Sequence, residues 1–238
     1  MKGSKYSIIK LIESPYFVEK INKLSKPTGA KITVYDNWIP KSIRLDKEAE
    51  LNDFLKYNFS KELSTEIAEW WLKVDATTPN WDLISTCTID GVKGLLLVEA
   101  KAHVDELKNE EKGKSLDKDA SNNSIMNHKR IEQAIKEAND SIKSKCPEIH
   151  ISRDKCYQLS NRIAHAWWLA NQGIPVVLMY LGFLNCTDMD YGNRTLFNTD
   201  EEWQECFRDH AKLVGADKII EKELDCGKSK FTLICRSY

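Results

Sequence analysis

Through the middle of the chain, apolar positions alternate or run unbroken; on either side they recur at helical spacing. Residues 83–88 (LISTCT) and 95–101 (LLLVEAK) are apolar runs flanking Asp90-Gly91. That dipeptide accepts positive φ and closes a tight hairpin, so the two runs read as antiparallel strands. Residues 95–98 are apolar throughout, as in a strand covered on both faces. Ahead of the hairpin, Leu63, Ile67, Trp70, Trp71 and Val74 form one stripe of a helix over 61–74. Behind it, Leu159, Ile163, Ala166, Trp167 and Ala170 form the core face of a helix over 155–171. Gly173 stops that helix, and an apolar strand follows over 174–181. Helix, short link and continuous apolar strand mark an α/β layer whose buried strand runs parallel to a neighbour.

The flanks are less strongly patterned. Residues 5–24 read as a helix, or a short strand and a helix, broken at Pro27-Thr28-Gly29. An edge strand is expected over 31–34, an aromatic turn over 37–40, and a helix from a cap at Asp46 to about Tyr57. Ile131, Ala134, Ile135, Ala138 and Ile142 put a helix over 124–143. Thr199 and Glu202 have the spacing of a capping box for a helix reaching about Leu213. Segments 221–224 and 230–236 pair as a closing hairpin. Between the central strands and the 124–143 helix, residues 104–123 mix both charge signs without apolar period. That stretch reads either as a disordered surface insertion or as a mobile flap.

The chain has 238 residues, enough for one well-buried domain over 1–238. Within it, 1–59 and 185–238 are terminal elaborations around a core at 60–184. A formal net charge of −1 gives no general attraction for phosphate, so a nucleic-acid partner needs a local basic patch. The seven scattered cysteines form no CxxC pair, and no apolar run is long enough to span a bilayer. A reduced, cytoplasmic protein without membrane partners is expected. The five histidines offer no HxH or HExxH pair, and no GxSxG or phosphate-binding glycine loop occurs.

The chemistry gathers at the ends of the central strands. Side chains alternate along a strand, so Glu99 and Lys101 point the same way, and the hairpin returns Asp82 beside them. A carboxylate and an amine ending so apolar a strand are costly to bury without a partner or a task. Asp82, followed after the hairpin by Glu99-x-Lys101, resembles the active-site signature of the PD-(D/E)xK, or restriction-endonuclease-like, nuclease superfamily. Trp81 stands where that signature has proline, and Pro79 lies three residues ahead of Asp82. The resemblance covers about 61–184 and implies a three-layer α/β/α core with a mixed central sheet. It implies a metal-dependent nuclease with DNA as the default substrate, and leaves room for a homodimer. Asp82 and Glu99, joined by the Ala100 carbonyl and Glu66, would hold Mg²⁺ or Mn²⁺, and Lys101 would place the attacking water.

Three features stay open at this level. Glu66 borders the 61–74 stripe, either as an extra ligand or as a solvated residue. Gln158, Asn161, Arg162 and His165 form a continuous polar stripe, read either as a substrate contact or as a solvated face. His128, Lys129 and Arg130 have the same two readings. A catalytically silent module of this fold, binding nucleic acid or protein, is the rival function.

Overall fold

The central hairpin forms where the turn chemistry puts it. Asp90 and Gly91 adopt φ of 49° and 83°, the left-handed conformations that a two-residue turn between twisted strands demands. The computed structural model describes residues 2–72, 77–192 and 194–238. The chain begins with helices α1 (Gly3–Glu13) and α2 (Phe17–Leu24), then short strands β1 (Ala30–Lys31), β2 (Trp38–Ile39) and β3 (Ala49–Glu50). Helices α3 (Leu51–Asn58) and α4 (Lys61–Trp71) lead to strands β4 (Asn80–Trp81), β5 (Leu83–Ile89) and β6 (Val92–Lys101). Next come helices α5 (Val104–Glu110), α6 (Asn122–Lys143) and α7 (Tyr157–Asn171), and strand β7 (Val176–Gly182). Helix α8 (Asp200–Lys212) and strands β8 (Glu223–Asp225) and β9 (Lys230–Ser237) complete the chain.

The main sheet has the order β1-β5-β6-β7-β9-β8, with β2 also paired to β5. β5 and β6 are antiparallel, β6 and β7 parallel, β7 and β9 parallel, and β8 and β9 antiparallel. The sheet is therefore mixed, and both termini contribute strands to it. Alternation along β6 sorts its side chains between two apolar layers. Leu95 and Leu97 pack with α3, α4, α6, α7 and α8, whereas Leu96, Val98 and Ala100 pack with α1 and α2. Helices thus cover both faces, and Glu99 and Lys101 inherit the α7 side. No helix of the described residues is long and apolar enough to cross a membrane.

Several expectations need correction. Residues 37–40 contain strand β2 rather than only a turn, because the edge of β5 offers Trp38 and Ile39 a partner. The helix expected from Asp46 starts at Leu51, after β3 pairs with β4. The closing hairpin also does more than pair with itself. Phe231, Leu233 and Cys235 face one layer and Ile234 the other, so β9 is apolar on both faces and lies inside the sheet beside β7. Val74, the last member of the expected α4 stripe, lies outside the described residues; Ile67, Trp70 and Trp71 are buried as expected.

The polar 104–123 segment differs most from its reading. Its first seven residues form α5, with Asp105 and Glu106 in the first turn, where the helix dipole favours acids, and Leu107 buried. The following strip is tied to the entrance of α7. Lys114 N donates to Arg153 O at 2.9 Å, Cys156 N to Glu111 O at 3.1 Å and Tyr157 N to Lys112 O at 3.2 Å. A Cβ on Gly113 would come within 2.5 Å of the Asp154 carbonyl oxygen, so only glycine lets the two chains lie this close.

Candidate functional site

Asp82, Glu99 and Lys101 converge at one edge of the sheet, where β5 begins and β6 ends. Asp82 precedes the first residue of β5, and its Oδ2 accepts a hydrogen bond from Ala100 N at 2.8 Å. The loop carboxylate is thus pinned across the hairpin to the strand that carries Glu99. Glu99 is buried and densely engaged. Its Oε1 accepts from Lys101 Nζ and from Gln158 Nε2, both at 2.5 Å. Its Oε2 accepts from Arg162 Nε at 2.8 Å, and Arg162 NH2 lies in ion-pair contact at 2.8 Å from the same oxygen. Arg162 NH2 also donates to Asn80 O at 2.8 Å, and the guanidinium lies 4.3 Å from the Trp81 ring centre. Arg162 therefore clamps the segment before Asp82 to Glu99 from above.

A third acid enters from α5, and no sequence pattern announced it. Glu110 Oε1 lies 2.6 Å from Lys101 Nζ, so the lysine is shared between Glu99 and Glu110. Around this pair, Glu110 Oε2, the Tyr180 hydroxyl and both His210 ring nitrogens are buried without a hydrogen-bond partner among the described residues. Tyr180 stands opposite Glu99 in the parallel β6–β7 register, and His210 Nε2 is 4.0 Å from Glu110 Oε2. These residues escaped the sequence reading because Glu110 sits in a uniformly polar run, and Tyr180 and His210 in ordinary core patterns.

Electrostatics divides the carboxyls. Burial and the neighbouring Glu99 charge push Asp82 up to about 8, against Lys101. Burial works against Glu99 too, yet Lys101 and Arg162 hold its carboxyl down to about 2. Burial carries Glu110 to about 7 despite its contact with Lys101. Burial would lower Lys101, but Glu99, Glu110 and Asp82 together raise it, so it stays charged. His210 is lowered to about 4 by burial and by Lys101, which leaves it neutral. The site thus holds one firmly ionised carboxylate between two cations, and a neighbouring carboxyl that resists ionising beside it.

The polar stripe of α7 divides. Gln158 and Arg162 reach Glu99, and Asn161 supplies Oδ1 to Arg162 NH1 at 3.2 Å. This stripe is not a solvated face, since Asn161, Arg162 and His165 are all buried. His165 does not join the site. Its ring is wedged between Trp70 and Trp71, with centroids 5.4 and 4.3 Å away, and its Nδ1 pairs with Asn161 O at 2.8 Å. Glu66 does not join it either. It is exposed on the outer side of α4 beside Lys61, Glu62 and Thr65, because the buried stripe of that helix turns Trp70 and Trp71 inward. Among the described residues, no three His, Cys, Asp or Glu side chains are grouped to hold one ion.

Burial and the Arg162 charge push His165 down to about 3. A base whose folded value lies below its unfolded value contributes stability above the unfolded value and loses it as pH falls towards the folded one. Wild type is therefore expected to lose about 2 kcal/mol more stability than His165→Phe between pH 7 and pH 5. Urea unfolding of both proteins at the two pH values checks this, and parallel losses would remove His165 as the cause.

A cleft of about 720 Å³ opens in front of Arg162 and Gln158. Its walls come from the 77–80 segment (Thr77, Thr78, Pro79, Asn80), from Lys114 and Leu116, from the first half of α6 (Ser124, Asn127, His128, Ile131) and from the start of α7 (Tyr157, Asn161). No Asp or Glu is among the described lining residues. Of the basic trio expected on α6, only His128 reaches this cleft, and it is held by Arg153 NH1 at 2.9 Å and Lys114 O at 2.8 Å. No family model, curated protein or solved structure matches the chain, so its site is read from its own geometry.

Proposed function

We propose that this chain is a metal-dependent nuclease of the restriction-endonuclease-like kind, hydrolysing phosphodiester bonds with DNA as the default substrate. The observation that carries this reading is the meeting of Asp82, Glu99 and Lys101 at the strand ends, behind a cleft with no lining acid among the described residues. The order helix α4, hairpin β5–β6, helix α7 and parallel strand β7 supports the same reading.

The donor chemistry fits a hard divalent cation. Two adjacent carboxyls, one of which resists ionising beside the other, form a site that Mg²⁺ or Mn²⁺ would relieve. Asp82 and Glu99 would hold the ion, with the Ala100 carbonyl as a third oxygen. When bound, such an ion polarises a phosphoryl oxygen and acidifies water. The protein's own residues do the rest. Lys101, fixed between Glu99 and Glu110, presents a permanent positive charge where charge develops on the phosphate. Gln158 and Arg162 set the Glu99 rotamer, and the Ala100 amide sets that of Asp82. Placement and charge are most of what phosphoryl chemistry requires.

The reading is tested by incubating purified protein with end-labelled DNA in EDTA, Mg²⁺ and Mn²⁺. Cleavage only with a divalent ion is expected, and cleavage unaffected by EDTA would overturn the metal role. One observation favours a silent binding module instead: both Glu99 oxygens are engaged by Lys101, Gln158 and Arg162, so a cation must displace a donor to bind. Calorimetric titration with Mn²⁺ separates the two. No binding, together with no cleavage, would leave the module.

A further inference from the structure

We infer that the cleft in front of Arg162 accepts unpaired nucleotides, so that the substrate is single-stranded nucleic acid rather than a duplex. The inference rests on the nuclease reading only for what happens to the strand once bound.

Size and wall chemistry come first. A cleft of about 720 Å³ falls in the range of sites that enclose a small molecule, and it is concave rather than a flat track. Its polar groups are mainly amides and hydroxyls from Asn80, Ser124, Asn161 and Gln158. Such groups read the edges of bases, which are within reach of a concave wall only when the base is out of a pair. The half-buried Tyr157 ring adds a π-face at the same wall, the platform on which single-strand binders stack bases.

Charge points the same way. Among the described residues, Lys114 has no carboxylate partner; its Nζ lies 5.0 Å from the Tyr157 ring centre. A cation seated over an aromatic ring puts a charge for one phosphate against a surface for one base. Arg162 is committed to Glu99, and His128 to Arg153 and the Lys114 carbonyl. Among the described residues the cleft therefore lacks the six or more phosphate contacts, in round terms, from which duplex binders draw affinity, and the net charge of −1 adds none. What remains is a short-range electrostatic welcome. Helices α6 and α7 both begin at this cleft, neither carries an acid in its first turn, and their positive dipole ends favour an anion there.

The test is fluorescence anisotropy in EDTA with three labelled probes of equal length: oligothymidylate, oligouridylate and a DNA duplex. Both single strands should bind at least about tenfold more tightly than the duplex, and Lys114→Glu and Tyr157→Ala should each weaken single-strand binding by about tenfold, the usual worth of one stacked base or phosphate contact. Preference between the thymidylate and uridylate arms identifies DNA or RNA as the source of the strand. If Tyr157→Ala unfolds, Lys114→Glu alone decides, since that side chain is partly exposed. Equal or tighter duplex binding, no binding of any probe, or single-strand affinity unmoved by the variants would overturn the inference. Single-strand binding without cleavage in Mn²⁺ would instead overturn the nuclease reading and leave this one standing. Duplex cleavage without single-strand preference would do the opposite.

Discussion

Replacing Arg162 with alanine is expected to destabilise the fold by about 3–5 kcal/mol, the usual result of removing one partner from a buried ion pair. Exposed ion pairs are worth far less, so burial decides the magnitude. The Arg162 side chain is 7 % exposed and the Glu99 side chain 3 %, and two guanidinium nitrogens contact one carboxylate oxygen. Removing it leaves Glu99 with Lys101 and Gln158 only, leaves Asn80 O without its donor and uncovers the Trp81 ring. The sequence alone left this stripe open between a substrate contact and a solvated face; the contact with Glu99 gives Arg162 a part in holding the fold as well. Arg162→Lys should recover only part of the loss, because an ammonium has neither the planar fork nor the stacking face. Urea unfolding of the wild type and both variants measures this. An alanine variant within about 1 kcal/mol of wild type would mean that the clamp contributes no more than a surface pair.

Local chemistry made part of this protein legible. Asp90-Gly91 and the alternating runs around it could form little else but a hairpin, and the run 95–98 could be buried only by neighbours on both faces. The meeting of Asp82, Glu99 and Lys101 follows from that hairpin alone, since register and alternation bring them together. What a helical wheel cannot supply is the identity of the neighbours. Arg162 falls on the polar stripe beside the core face, but whether that border meets solvent, substrate or Glu99 depends on β4 and β6 closing over it. The same limit left Glu66 open between an extra ligand and a solvated residue; it is exposed on α4. Glu110 is the clearest case. Its run carries no period, and the reason it is buried is a lysine nine positions earlier whose charge only the folded chain brings near. Buried charges find partners through tertiary contacts, which no spacing rule records.

If the chain is the proposed nuclease, Asp82→Asn should cut hydrolysis by about 10²–10³-fold, while leaving the fold as stable as wild type or more so. On the nuclease reading, the catalytic loss follows from removing one of the two carboxylates that would hold the metal ion, where single electrostatic contacts are worth about 10²–10³. The stability argument comes from the same geometry. Burial and Glu99 raise Asp82 from 3.8 to about 8. An acid raised in the folded state favours folding at pH below its unfolded value, and that advantage disappears as pH rises through the folded value. From about pH 4 to pH 8 wild type therefore loses stability at this position. Asparagine cannot ionise, so it loses none, and its amide oxygen can still accept the Ala100 N–H bond that orients Asp82. The gap in favour of the variant should widen between pH 5 and pH 8, as measured by thermal unfolding beside the cleavage assay. A residue kept for structure would behave in the opposite way, losing stability on substitution and little activity. A less stable Asp82→Asn protein that still cleaves at the wild-type rate would place the chemistry elsewhere. A more stable, inactive one would mark Asp82 as a position where the fold gives up stability to hold a second carboxylate beside Glu99.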